Sequence, residues 1–143
     1  MYTEHLQNVR PGYVVAGWLV AISVASFALF ILVALGLADP ESIGGGPWVS
    51  LAMIAGFVAG GAFVGFRTGE APILHGIAIG LMSIFAWVII NSVVTLFFND
   101  QEWVSLSGVM TATAILVQII GAVLGARWGY RFAIRAAERK AAG

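Results

Sequence analysis

Gly60-Gly61-Ala62-Phe63-Val64-Gly65-Phe66-Arg67-Thr68-Gly69 is the stretch on which the reading of this chain turns. It runs on to Glu70 and a His75-Gly76 pair, and its pattern returns as Gly121-Ala122-Val123-Leu124-Gly125-Ala126-Arg127-Trp128-Gly129. Both copies read G-A-x-x-G-x-R-x-G, sixty positions apart from Gly61 to Gly121. Glycine at every fourth position leaves one helix face bare to the backbone, which suits close helix packing in an apolar medium. The arginine marks the point where that face leaves the medium.

The composition identifies the medium. Of 143 residues, 60% are hydrophobic and only 10% charged, and the mean hydropathy is +0.96. A soluble fold of this size could not hide so much apolar surface, whereas a bilayer solvates it. The expected fold class is all-α: a polytopic integral membrane four-helix bundle, one membrane domain over 1–143. Spans are expected at 13–37, 48–66, 73–98 and 103–126, with a basic cytoplasmic tail at 127–143. Pro40, Gly44-Gly45-Gly46-Pro47 and Pro72 punctuate the segments, Pro72 suiting a first helical turn. The run after Arg10, about 24 residues, exceeds the 7–15 of a signal-peptide core, so it reads as a span. Zero cysteines exclude disulfides, thiolate metal sites and cysteine nucleophiles.

All seven basic residues, Arg10, Arg67, Arg127, Arg131, Arg135, Arg139 and Lys140, fall on one side of this four-span layout. The opposite loops hold Asp39, Glu41, Asp100 and Glu102. The positive-inside rule then puts both termini and the Arg67 turn in the cytoplasm of an inner or plasma membrane. Tyr13, Trp18, Trp128 and Tyr130 fall near one interface and Trp48 and Trp103 near the other; Trp87 falls in between.

The halves read as a tandem duplication of a two-helix hairpin. Trp48-Val49-Ser50-Leu51 recurs as Trp103-Val104-Ser105-Leu106, and Ser23 matches Ser83 at the offset of sixty. Small-residue tracks mark every helix: Gly17-Ala21-Ala25, Gly56-Gly60 with Gly61-Gly65-Gly69, Gly76-Gly80, and Gly121-Gly125-Gly129. All these glycines are expected to pack helix on helix. They exceed what one compact bundle needs, so some are expected to face a partner: a second copy or a larger membrane complex.

Three groups could do more than pack. Asn91 and Gln118 are the amides deep in the apolar segments. They suit interhelical hydrogen bonding or, as the alternative function, the lining of a passive pore for a small solute or ion. Arg67, Glu70 and His75 gather at the cytoplasmic turn, either as a hydrogen-bonded turn or as a site for a headgroup or partner. Arg127, Arg131, Arg135, Arg139 and Lys140 form a basic stripe suited to anionic lipid headgroups or an acidic partner. A haem held by His5 and His75 has nothing else in its favour. No catalytic constellation or metal cluster is visible. The expected function is therefore non-enzymatic and cofactor-free, without nucleic acid: a structural or accessory membrane subunit.

At Gly60-Gly61, Gly65, Arg67 and Gly69, followed by Leu74-His75-Gly76 and Gly80, the chain resembles the YrzE-like family of small four-helix bacterial membrane proteins. The resemblance implies a four-span architecture and adds no chemistry. The chain departs from that pattern in its longer basic tail.

Overall fold

The computed structural model describes residues 5–38, 47–98 and 108–141. A 3-10 turn, Leu6–Asn8, precedes four α-helices: α1 Pro11–Ala34, α2 Pro47–Thr68, α3 Pro72–Phe98 and α4 Gly108–Ala141. Each carries a stretch long and apolar enough to cross a membrane. The chain is thus all-α, with four helices of membrane-span character.

Helix ends follow from local chemistry. Pro11, Pro47 and Pro72 each occupy the first position of a helix, where the missing N–H costs nothing. The first helix stops at Ala34, short of the expected 37. Gly36 turns left-handed (φ 69°) and the Leu37 N–H folds back onto the Leu32 carbonyl at 2.9 Å. The expected fourth-span start near Trp103 lies outside the described residues. Its other end is clear: α4 passes Gly129 without a break and continues to Ala141. At 34 residues it is about 51 Å long, well beyond a ~30 Å hydrocarbon core.

Burial follows the small-residue tracks, with Phe57, Val64 and Ile79 enclosed between them. Val14, Gly17, Ala21 and Ala25 are the buried residues of α1; Ala52, Gly56, Phe57, Gly60, Gly61, Val64 and Gly65 are those of α2. Bulky apolar residues point outward, with Phe30 69%, Phe85 68% and Leu96 80% exposed. This is the arrangement expected where the surroundings are as apolar as the interior and close packing alone favours association.

The hairpins are antiparallel: Gly56 and Gly60 lie on Ala21 and Gly17 of α1, and Gly76 and Gly80 lie on Val123 and Ile119 of α4. The most extensive contact joins α2 and α4, which run parallel. Consecutive α2 and α3, despite their tight turn, touch far less. A third contact aligns α1 with α3, where the Trp18 indole N–H donates to Ser83 Oγ at 3.2 Å. Val64 and Ile79, both fully buried, close over Gly17 where α1, α2 and α3 meet.

The α2–α4 contact is reciprocal. A methyl group at Gly61 or Gly65 would overlap the carbonyl of Ala122 or Ala126; one at Gly125 or Gly129 would overlap that of Val58 or Ala62. Gly61 therefore stands opposite Gly125, and Gly65 opposite Gly129, an offset of 64 rather than the 60 of the sequence repeat. The helices are seated one turn away from the register in which the motifs would align. Gly69, expected to pack, takes no part in this contact. It lies beyond the end of α2 with a left-handed backbone (φ 63°), and a side chain there would meet nothing. Gly69 is a turn residue and cannot pair with Gly129. At the other end Gly121 lies over Phe57, where an added methyl would have its nearest neighbour at an ordinary 3.4 Å.

These differences separate glycines that the sequence treats alike. Gly65→Ala forces a methyl onto a backbone carbonyl that cannot rotate away, and a loss of about 1–3 kcal/mol is expected. Gly121→Ala is expected to stay within about 0.5 kcal/mol of the parent. Denaturant titration of the two variants in mixed micelles checks the contrast; equal losses would contradict the register described.

Candidate functional site

Among the described residues, the end of the bundle carrying the α2–α3 turn brings together Arg10, Arg67, Glu70 and the buried His75. Thr68, the last residue of α2, directs its hydroxyl to the Val64 carbonyl at 3.0 Å and the Glu70 carbonyl at 3.3 Å. Ala71 follows with φ 41°, a left-handed conformation uncommon for a residue with a side chain, and is 2% exposed. Such a backbone persists only where its surroundings hold it. Here His75 does: its N–H reaches the Ala71 carbonyl at 3.1 Å, and its ring Nδ1 lies 3.0 Å from the same oxygen.

His75 is completely buried. Its other ring nitrogen, Nε2, accepts the backbone N–H of Arg10 at 3.1 Å. Since Nε2 accepts, the ring proton belongs on Nδ1, where it donates to Ala71; one neutral tautomer satisfies both contacts. Arg10 immediately precedes α1, and its carbonyl receives the first helical N–H groups, from Tyr13 and Val14. One imidazole thus joins the start of α1, the start of α3 and the strained turn.

Of Arg67, Glu70 and His75, the turn is tied through the His75 ring and the Glu70 carbonyl, while the Arg67 and Glu70 side chains point outward. Arg67 and Glu70 are exposed and, among the described residues, form no ion pair. The Arg67 guanidinium instead lies 6.0 Å from the centre of the Phe63 ring, within reach of a cation–π contact. His75 faces inward because its two ring nitrogens meet backbone partners there, while the two charged residues keep their hydration. Sequence reasoning overlooked Arg10 and Ala71, since both partners of His75 act through the main chain. The one available signal was shared spacing: Arg10 to His75 and Trp18 to Ser83 are each 65 residues apart.

Gln118 is 8% exposed, and its Oε1 has no hydrogen-bond partner among the described residues. The side chain of Asn91 lies outside the described residues. Ser23 is exposed and Trp87 is 49% exposed, so neither belongs to a polar interior. Gly56, Gly60, Gly61, Gly65, Gly76, Gly80, Gly125 and Gly129 all approach backbone or side chains of a neighbouring helix within the bundle. That corrects the idea that the glycine faces are in excess: the bundle uses them itself.

Along α4, Arg127, Arg131, Arg135, Arg139 and Lys140 are all exposed. Gly129 rests on Ala62, six residues before α2 ends, so the helix beyond about residue 133 has no α2 alongside it. Trp128 and Phe132 sit with ring centres 5.9 Å apart and planes tilted by 43° where this arm begins.

Replacing His75 by alanine should cost about 1–3 kcal/mol by stranding the Arg10 N–H, while the Ala71 carbonyl keeps the backbone N–H of residue 75. Hydrogen exchange at the Arg10 amide should accelerate by about tenfold or more in that variant. An unchanged rate would show that the imidazole does not hold the start of α1.

No protein-family model, no curated protein and no solved structure matches this chain.

Proposed function

We propose that the chain is a non-enzymatic multi-pass membrane protein that serves as a structural or accessory subunit, associating with itself or with a larger membrane complex. The observation that carries this reading is where the interior groups are spent. The glycines join α1 to α2, α2 to α4 and α3 to α4, and the buried histidine binds two main-chain groups. What remains outward is a broad apolar surface and a basic helical arm. A partner in the bilayer would meet bulky side chains such as Phe27, Phe30, Phe85 and Ile89 rather than the glycine tracks.

Placement with both termini and the Arg67 turn in the cytoplasm of an inner or plasma membrane rests on the segregation of all seven basic residues. The proposed hairpin duplication rests on the repeated sequence motif; the α2–α4 contact pairs the two copies one turn out of that repeat's register. The likeness to the YrzE-like family rests on its glycine, arginine and histidine motif. A passive facilitator is the second reading, favoured by the unpartnered Oε1 of Gln118. An orphan amide oxygen in an apolar interior is costly unless something polar visits it.

Light scattering of the full chain in mild detergent should give a mass above one copy, or named companions should copurify in constant ratio. A solitary monomer in every mild detergent would remove the subunit reading. Liposome flux that Gln118→Leu abolishes would replace it with the facilitator.

A further inference from the structure

Gly125 and Gly129 seat α4 on the carbonyls of Val58 and Ala62. Beside that line of contact Leu124, Arg127, Trp128 and Arg131 rise on successive turns of one helix face. Together with Val58 they line a groove of about 450 Å³. We propose that this groove binds the headgroup of an anionic phospholipid, with its phosphate at Arg127 and Arg131 and the start of an acyl chain along Val58 and Leu124.

Three features select that occupant. Arg127 and Arg131 are exposed and, among the described residues, neither forms an ion pair, so two forked donors stand one turn apart without an acceptor. Guanidinium groups match phosphate oxygens in geometry as well as charge. The walls are graded: Val58 and Leu124 lie toward the middle of the helices, and the arginines toward the Arg67 end. A free phosphate ion has no use for an apolar floor, whereas a phospholipid has this polarity along its length. Trp128, 59% exposed between the two arginines, has the amphipathic ring found at headgroup depth. Basic recesses between membrane helices are known to take lipid headgroups. Arg135, Arg139 and Lys140 lie farther along α4, outside the groove, and contribute only diffuse attraction.

The site rests on the helices crossing a bilayer but not on the assembly proposed above. The test uses the full chain in neutral detergent, titrated with phosphatidylglycerol or phosphatidylcholine and read as retained lipid by native mass spectrometry. Phosphatidylglycerol should bind near one per chain and in preference to phosphatidylcholine. The double variant Arg127→Gln/Arg131→Gln should weaken it by about tenfold or more, as expected for losing charge-assisted hydrogen bonds. Leu124→Trp, which fills the groove without altering charge, should weaken it as well. Arg135→Gln/Arg139→Gln should stay within about twofold of the parent, since exposed charges outside the groove contribute little. Equal weakening by the two arginine pairs would overturn the site in favour of diffuse attraction to the arm. Displacement of the lipid by excess inorganic phosphate would overturn it in favour of a free-anion site. A chain that enters phosphatidylcholine vesicles yet shows no preference for phosphatidylglycerol would sink the site and leave the membrane reading standing.

Discussion

The contact on which the rest of the molecule depends is main chain against main chain between α2 and α4. At Gly61, Gly65, Gly125 and Gly129 the hydrogen standing where a side chain would be faces a carbonyl oxygen of the opposite helix. Contacts of this kind are each worth about 0.5–1 kcal/mol, and four of them come with the dispersion gained by bringing two helices so close. In hydrocarbon surroundings burial of apolar surface supplies no driving force between helices, so such close approach is the main source of association. Everything else is arranged around this pair, with α1 laid on the other glycine face of α2 and α3 laid on α4.

The packing also explains what the outer surface is like. Glycine and alanine line the helix contacts because they permit backbone approach, and apart from enclosed side chains such as Phe57, Val64 and Ile79 many bulky apolar residues are left outside. A soluble protein with this surface would aggregate; in a bilayer it is ordinary. The same logic explains the groove. Two small residues hold α4 near α2, while their large neighbours Leu124 and Trp128 cannot enter the contact and stand beside it as walls.

At the Arg67 end the constraint changes from shape to hydrogen bonding. The Arg10 N–H at the start of α1 is taken up by the buried His75 ring, whose other nitrogen adds a second bond to the Ala71 carbonyl at the start of α3. The strained Ala71 is tolerated because its carbonyl receives two bonds from the same residue. The absence of an ion pair between Arg67 and Glu70, among the described residues, follows from their exposure: hydrated charges gain little by pairing.

Four apolar segments, their approximate limits and the small-residue tracks could all be read from the sequence, because composition, proline and helical spacing are local properties. The gathering of the basic residues at one end was equally plain, since all seven fall on one side of the four-segment layout. Register was not available from the residues. Glycine every fourth position reads the same after a shift of one turn, so the repeat could not distinguish an offset of 60 from one of 64. The packed structure seats Gly61 and Gly65 opposite Gly125 and Gly129, with Gly121 over Phe57. The role of His75 was hidden for a related reason: its partners are main-chain groups, which every residue possesses and no motif reveals. Residue type determined which faces could meet, and three-dimensional packing alone decided which positions along those faces do.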